Sequence, residues 1–122
     1  MSKKDFQVIK KIDKPWGHEL IWAHTEKYAG KILHIRKGEM LSYQYHDVKD
    51  ETIFLYSGLM EIDMEDGKKR KRVVLNPGEG IRILPHTKHR MIALEDCEVL
   101  EVSTPELSDV VRLEDRYGRT VS

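Results

Sequence analysis

The amino-acid sequence predicts a single domain built of β-strands and folded as a sandwich or barrel. Three observations predict this class. Nine short apolar runs of strand length follow one another along the 122 residues, turn-forming residues separate them, and no window has the apolar periodicity of a long helix. Strands at such short intervals are typical of all-β folds rather than of alternating strand and helix units.

The predicted strands end where residues that favour turns occur. Lys37-Gly38, Ser57-Gly58, Asp66-Gly67 and Asn76-Pro77-Gly78 stand in the gaps between apolar runs. The nine predicted strands cover residues 19–23, 31–36, 41–46, 52–57, 59–65, 71–75, 80–85, 89–94 and 98–103.

The clearest hairpin covers residues 59–75. Met60, Ile62 and Met64 alternate with acidic residues, which is the period of a strand with one apolar face. Asp66-Gly67 supplies the turn. The return strand begins with the basic residues 68–72, which we expect to pair with the acidic side of the first strand. A nucleic-acid or nuclear-localisation patch is the alternative for this basic run.

Both ends of the chain allow two interpretations. Residues 1–13 are predicted to form an N-terminal arm or an edge strand, before a core of about residues 14–119. Residues 106–119 fit a helix capped by Ser108, or a strand over DVVRLE followed by a turn, about equally well.

Composition limits the classes of function. Lys plus Arg equals Asp plus Glu at 21 each, which argues against a general attraction to nucleic acid or to an anionic membrane. The chain has no signal-peptide pattern and no apolar stretch near 18 residues. Its single cysteine, Cys97, excludes an intramolecular disulfide and is predicted to be a core residue. We therefore expect a soluble, cytoplasmic domain with no nucleic-acid or membrane partner.

Four polar residues on predicted strands form a candidate metal site. Gln44 and His46 are two residues apart, so their side chains share one face of a strand. Glu51 shares its face with apolar residues, where a carboxylate is costly unless it is paired or bound to a metal. His89 opens a later strand. Four unrelated polar residues are the alternative interpretation.

Imidazole and oxygen donors suit a divalent transition metal such as Zn, Mn, Fe, Co or Ni. Because this set lacks thiolates, a structural zinc site is disfavoured. With a single anionic ligand, the cation would keep net positive charge and act as a Lewis acid.

The spacing of glycines around these residues resembles the two-part motif of the cupin superfamily. Gly38 and Gly58 bound the segment that holds Gln44, His46 and Glu51, and a later stretch that begins at Gly78 leads to His89. Three departures stand out: Gln44 replaces the first histidine, the second motif has Leu84-Pro85-His86 where the family has its proline and glycine, and Ala93 replaces the closing asparagine.

Further segments are similar to the isomerase domain of type II, bifunctional phosphomannose isomerases. LSYQYH (41–46) resembles the LSLQMH of phosphomannose isomerases, in which glutamine takes the first ligand position. KPWGHE (14–19) and VVRLEDRYGR (110–119) resemble the entry and the ending of the type II domain. The likeness covers about residues 14–119, and we expect no nucleotidyltransferase half in this chain.

The resemblance implies a single-domain cupin jelly roll with a divalent metal on Gln44, His46, Glu51 and His89. It also implies a sugar phosphate as the ligand and aldose–ketose isomerisation as the reaction. Isomerisation needs a base, for which Lys49 and His86 are the candidates. Arginine suits phosphate through bidentate contacts. The candidates for this contact are first Arg112 and Arg119, which lie in the isomerase-like ending, and then Arg82 and Arg90.

Two other functions stay open at the level of sequence. His46, Glu51 and His89 alone form a two-histidine, one-carboxylate set that suits an Fe(II) dioxygenase. A non-catalytic cupin that binds metal and sugar is the second alternative. Because small barrels of this type leave sheet edges exposed, we expect a homodimer, with the N-terminal strand as a candidate contact.

Overall fold

The computed structural model describes residue 6 and residues 9–119. The strands are β1 (Lys10–Lys14), β2 (Gly17–His24), β3 (Ala29–Ile35), β4 (Tyr43–Tyr45), β5 (Glu51–Ser57), β6 (Met60–Asp66), β7 (Lys69–Leu75), β8 (Gly80–Ile83), β9 (His89–Ala93), β10 (Cys97–Ser103) and β11 (Val111–Glu114). All nine predicted strands are present. Residues 106–119 fitted a helix or a strand equally well, and the structure has a strand there, β11. Within the described part of the chain, no helix has the length and apolar character needed to cross a membrane.

The strands form two antiparallel sheets. The six-stranded sheet has the order β1-β2-β3-β10-β5-β8, and the five-stranded sheet has the order β11-β4-β9-β6-β7. The predicted edge strand is therefore observed as β1, while residues 1–5, 7 and 8 of the predicted arm lie outside the described residues. Several pairs of neighbours, such as β3 with β10 and β4 with β9, come from distant parts of the chain, so residues far apart in sequence can share a site.

Inward-facing residues of most strands, together with Trp16 and Leu41, form one apolar core between the sheets. Its members are Trp16, Leu33, Ile35, Leu41, Ile53, Leu55, Met60, Ile62, Leu75, Ile83, Met91, Ala93, Cys97 and Val99. Burial of this apolar surface is the main force that holds the sheets together. Cys97 is a free, buried thiol, as predicted.

The predicted hairpin is formed by β6 and β7, and Gly67 adopts a φ of 65° in its turn. Ion pairs join the acidic and basic strands, such as Lys71 with Asp66 at 2.7 Å. Asp63, on the acidic side of β6, is buried rather than solvated. The Arg70 guanidinium covers it with bonds of 2.7–3.1 Å to both carboxylate oxygens.

Gly17, at the start of β2, has a structural reason to be glycine. Its φ is 154°, and a Cβ at this position would lie 1.9 Å from the carbonyl oxygen of His34. The close approach lets β2 begin directly beside β3, next to the buried Trp16. The PWG segment therefore closes the barrel over its core.

Candidate metal centre and adjoining cavity

Two histidines and a glutamate meet inside the barrel. His46 directly follows β4, Glu51 opens β5 and His89 opens β9. One potential ligand atom from each of the three residues lies within 4.8 Å of the other two. All three side chains are buried, with no more than 2% of each residue exposed. The structure therefore brings together three of the four predicted ligands as a compact cluster.

Backbone carbonyl groups orient both imidazole rings. Nδ1 of His46 lies 2.6 Å from the carbonyl oxygen of Asp109, and Nδ1 of His89 lies 2.8 Å from that of Thr87. A carbonyl oxygen accepts a hydrogen bond, so Nδ1 is the protonated nitrogen in each ring. Each Nε2 is then turned toward Glu51, with 3.0 Å from His46 and 3.3 Å from His89 to Oε1.

The chemistry of these atoms fits a metal ion. A neutral imidazole that donates through Nδ1 has only a lone pair at Nε2, and an ionised carboxylate is also an acceptor. His89 Nε2 is buried and has no hydrogen-bond partner among the described residues. A divalent cation would satisfy all three acceptors at once. Nδ1–H bonds to backbone carbonyls are the arrangement that commonly supports metal-binding histidines.

Gln44 lies beside this cluster. It is the direct cross-strand neighbour of His89 in the pairing of β4 with β9. Its side chain lines the same cavity as His46, and its Oε1 accepts a 2.6 Å hydrogen bond from Ser42 Oγ. The amide is thus close to the three buried residues, and its role as a fourth ligand stays a prediction.

A chain of buried charges of alternating sign extends from the cluster. Lys49 Nζ lies 3.4 Å from Glu51 Oε2 and 3.6 Å from Glu101 Oε2. Lys31 Nζ lies 3.9 Å from Glu101 and 3.4 Å from Glu19. Each buried charge therefore has at least one opposite charge as a neighbour, which reduces the cost of burial.

The environment shifts the pKa values of this chain. Burial raises the pKa of Glu51, but the adjacent His46 and His89 and the charge of Lys49 outweigh it and hold the pKa well below its usual value. Burial and the Glu51 carboxylate raise the pKa of Glu101 to about 7, against the charges of Lys49 and Lys31. Burial lowers the pKa of Lys49, but Glu101 and Glu51 raise it by more than burial lowers it. The pKa of Lys49 is therefore above its usual value.

Asp109 holds the loop between β4 and β5 in place. Its carboxylate accepts backbone hydrogen bonds from Asp47 at 3.0 Å, Val48 at 2.7 Å and Lys49 at 2.9 Å. Its carbonyl oxygen also accepts the hydrogen bond from His46. Asp109 therefore fixes both a candidate ligand and the loop that carries Lys49.

A cavity lies beside the cluster and reaches His46. Its volume is about 90 Å³, whereas one water needs roughly 10–15 Å³ by the same kind of measure, so it can hold more than a single ion. Its lining includes Gln44, His46, Lys49, Glu101 and Trp16. Arg112, Arg119 and Lys14 also line it. Two of the four predicted phosphate contacts thus share one cavity with the candidate ligands Gln44 and His46 and with Lys49.

Three predicted site residues lie elsewhere. The His86 side chain is 69% exposed, with Asp47 as its nearest charged neighbour at 3.9 Å. Arg82 is also exposed and is held by Asp50 at 2.6 Å. Arg90 is buried, and it donates to the carbonyl oxygens of Leu41 and Glu114 at 2.9 and 3.0 Å. None of the three lines the cavity among the described residues, because alternation along the strands directs Arg82 and Arg90 away from the barrel interior.

Sequence reasoning missed three residues of the site. Glu101 shares the inward face of β10 with Val99, which is the same signal of a carboxylate on an apolar face that singled out Glu51. Lys31 has the equivalent position on β3, beside Leu33. Asp109 had no signal, because its role depends on a loop about 60 residues distant.

The two antiparallel sheets and the buried His–Glu–His cluster identify this chain as a β-barrel protein with a candidate metal site. The model of the Cupin domain matches residues 31–103, a segment that contains His46, Glu51 and His89. The chain therefore belongs to the cupin family, as the glycine spacing indicated.

Several known proteins are similar to this chain. Mannose-1-phosphate guanylyltransferase ManC of Salmonella typhimurium is 31% identical over 123 residues, which is 97% of this chain and 25% of ManC. The mannose-1-phosphate guanylyltransferase of Escherichia coli K12 is 29% identical over the same shares of each protein. The chain thus spans about a quarter of the length of these relatives.

A solved structure supports the fold independently. An RmlC-like cupin from Shewanella frigidimarina superposes with a TM-score of 0.71 at 15% identity, covering 84% of this chain and 92% of that one. At this level of identity, the likeness concerns the fold alone.

Proposed function

We propose that this protein is a metal-dependent sugar-phosphate isomerase of the mannose-6-phosphate isomerase type, acting in sugar-nucleotide or polysaccharide metabolism. One observation carries the proposal: His46, one member of the His46–Glu51–His89 cluster, lines a cavity together with buried acid and base groups and with cationic side chains. The relatives named for mannose-1-phosphate chemistry and the isomerase-like segments 14–19 and 110–119 support it.

His46, Glu51 and His89 would hold the metal, with Gln44 as the fourth candidate ligand. A bound Zn, Mn, Fe, Co or Ni ion supplies a Lewis acid that polarises the carbonyl oxygen of the sugar. The protein's own contribution is to keep both rings in one orientation through Asp109 and Thr87.

Aldose–ketose isomerisation moves a proton between two neighbouring carbons, so the cavity needs a group that accepts and returns it. The pKa of Lys49, the predicted base, is raised, because Glu101 and Glu51 outweigh the effect of its burial. A residue with a raised pKa stays charged and can stabilise developing negative charge. Glu101 lies 3.6 Å from Lys49 and lines the same cavity. We assign the proton transfer to Glu101 with Lys49 as its charged partner. His86, the other predicted base, lies outside the cavity lining.

The phosphate of the sugar needs cationic partners at the other end of the cavity. Arg112 and Arg119 are the first candidates, because both line it. Arg82 and Arg90 are engaged by Asp50 and by backbone carbonyls, respectively, and are not assigned to the ligand.

The test combines metal analysis with turnover. Protein purified without chelator should contain about one divalent transition metal per chain and should interconvert mannose 6-phosphate and fructose 6-phosphate. Glu51→Gln and His89→Ala should lose both properties, because each removes one of three converging ligand atoms. An exposed substitution, Lys71→Gln, is the control. Bound metal and bound mannose 6-phosphate without interconversion would reject the isomerase and favour the non-catalytic binding protein.

An Fe(II) dioxygenase is the second candidate. The cluster consists of two histidines and one carboxylate, and the Gln44 oxygen is already hydrogen-bonded to Ser42. Such a facial set suits iron and dioxygen. Iron as the purified metal, together with substrate-dependent oxygen consumption, would favour this function over the isomerase.

We also propose that the protein is a homodimer in the cytoplasm. β1 is an edge of the six-stranded sheet, and the exposed Trp22, Phe54 and Val102 lie on strands of the same sheet. The mass in solution, measured by light scattering, should be twice that of one chain, and Val102→Lys should reduce it while Val74→Lys on β7 should not. A monomeric wild-type protein would contradict the proposal. The cytoplasmic location rests on the single free cysteine and stays a prediction.

A further inference from the structure

Two histidines lie side by side on the outer face of the six-stranded sheet. His18 of β2 and His34 of β3 are direct cross-strand neighbours. Leu33 and Ile35, on either side of His34, belong to the core, so the side chain of His34 points away from the barrel interior. The described residues that line the central cavity include neither histidine. The outer histidine pair, His18 and His34, is therefore separate from the candidate metal centre.

The two imidazole rings are close enough to share a ligand. Their centres are 5.1 Å apart, and the centres of His46 and His89 in the candidate metal centre are 5.3 Å apart. The planes of the outer rings differ by only 18°, so the rings are stacked and one of them must turn before both nitrogens point at one ion. His18 is only partly buried, which leaves room for this rotation. Strand pairing holds both Cβ atoms in place, so few other bonds need to be fixed on binding.

Carboxylates flank the pair on both sides. Glu98 of β10 is the cross-strand neighbour of His34, and Asp13 of β1 is the neighbour of His18. The four residues thus form one row across four strands, with an acidic residue at each end. Two negative charges beside two imidazoles favour a cation over an anion as the ligand.

The contact with Glu98 determines which nitrogen of His34 can bind a metal. Glu98 Oε1 lies 2.6 Å from His34 Nδ1. Because a carboxylate accepts a hydrogen bond, Nδ1 carries the proton, and the lone pair of the neutral ring lies at Nε2. A carboxylate at the far nitrogen orients a metal-binding histidine and makes it a stronger ligand. Backbone carbonyls have the equivalent position at His46 and His89.

We propose that His18 and His34 form a second metal site, which binds a divalent ion such as Zn²⁺ or Cu²⁺ on the outer face of the sheet. Imidazole is a suitable ligand for both ions. Among the described residues, the only three ligand atoms that lie within 4.8 Å of one another are those of the inner cluster, so the outer pair supplies two ligands and water completes the coordination. The outer site is therefore the weaker one, and it should lose its metal during purification. It does not depend on the proposed isomerase function.

The experiment is a zinc titration of the full chain, freed of metal with EDTA and then dialysed. The imidazole nitrogens of the six histidines are followed by NMR, with assignments from single variants. The signals of His46 and His89 should change first, because their site has three ligands. The signals of His18 and His34 should then change together, with one common midpoint.

Variants test whether the two outer rings share one ion. His18→Gln should weaken zinc binding at His34 about 100-fold or more, because two linked ligands are reduced to one. His34→Gln should have the same effect at His18, and it repeats the test on a different strand if one variant does not fold. His24→Gln is the matched control and should leave the midpoint unchanged. His24 is an exposed histidine of β2 whose Nε2 lies 3.1 Å from the carbonyl oxygen of Pro105.

Two results would overturn the outer site. One is the absence of any change at His18 and His34 in millimolar zinc. The other is an unchanged midpoint for His34 in a folded His18→Gln, because the two rings would then not share an ion. A response of the outer pair without one at His46 and His89 would support the outer site and reject the inner metal centre, so the two proposals can fail separately.

Discussion

The inner end of the cavity and its mouth differ in how their charged side chains are arranged. At the inner end, Glu51, Lys49 and Glu101 alternate in sign, and Lys49 Nζ lies 3.4 Å from Glu51 Oε2 and 3.6 Å from Glu101 Oε2. At the mouth, Lys14, Arg112 and Arg119 have the same sign. Arg119 is paired with Asp115 at 2.9 Å and Lys14 lies 4.0 Å from Glu19, whereas Arg112 Nε is buried without a hydrogen-bond partner among the residues described. Lys49 and Glu101 line the same cavity as Lys14, Arg112 and Arg119.

The contrast distinguishes charged side chains that fix one another in place from charged side chains that are available to bind a ligand. Paired buried charges gain little net stability, but they fix one another in place. Unpaired cations lower stability and are therefore expected where a ligand of opposite charge compensates them. The following predictions test this contrast, beginning with the largest expected effect.

Glu101→Gln removes one charge from the alternating chain while it preserves the shape of the side chain. If Glu101 transfers the proton, kcat should fall by about 10²–10⁴-fold, which is the usual contribution of general acid–base catalysis. Metal content should stay near one per chain, because Glu101 is not among the three clustered ligands. Glu98→Gln, on the same strand but facing outward, is the control. An unchanged kcat would move the proton transfer to another group.

Lys49→Met leaves two buried carboxylates, Glu51 and Glu101, without the cation that they share. The free energy of unfolding, measured with urea in the presence of EDTA, should fall by about 3–5 kcal/mol, because an uncompensated buried charge remains. Lys71→Met, whose exposed pair with Asp66 has little net value, should cost less than about 1 kcal/mol. Equal losses in the two variants would show that the inner pairs are not compensating charges.

Asp109→Ala removes three hydrogen bonds that hold the loop at residues 47–49. Metal affinity, measured by competition with a chelating dye, should fall by about 10-fold, the lower range for loss of a residue that orients a ligand. The carbonyl of residue 109 is retained, so the bond to His46 should weaken rather than disappear. An unchanged affinity would mean that the loop does not determine the position of His46.

Arg70→Gln tests a compensated arginine against the unpaired Arg112. Hydrogen bonds from Arg70 lower the pKa values of Asp63 and Glu114 in the folded state. Their contribution to stability is therefore present above the ordinary carboxyl pKa values and is lost as the pH falls through the lowered ones. At pH 7 the variant should be less stable by about 1 kcal/mol or less, since Arg70 is 39% exposed. The difference should disappear in acid, as followed by urea unfolding between pH 3 and 7, and a difference independent of pH would contradict this origin.

Local patterns predicted most of the strands correctly. Period-two alternation and turn residues are properties of consecutive residues, so β6, β7 and their turn at Gly67 could be located from the sequence. The segment that forms β11 could not be assigned, because its strand pairing with β4 depends on residues about 70 positions earlier.

The candidate ligands could be identified because each has a local sign. Glu51 and His89 interrupt apolar faces, and the glycine spacing resembles a known motif. The arginines lacked such a sign. Arg82 and Arg90 are near a candidate ligand, and Arg112 and Arg119 lie in a similar motif, yet only Arg112 and Arg119 line the cavity. The direction of a side chain and the presence of a carboxylate partner separate them, and neither is a local property.

By itself, the sequence predicted an all-β domain and four metal-ligand candidates, because alternation and the cost of a carboxylate on an apolar face act within a few residues. The structure brings three of these four together. Only the tertiary structure decided that Glu101 adjoins Lys49, that Asp109 holds the ligand-bearing loop, and which cations face the cavity. The reason is that electrostatic interactions depend on distance in space. The fold brings side chains such as Lys49 and Glu101 to 3.6 Å from one another, although they are far apart in the chain.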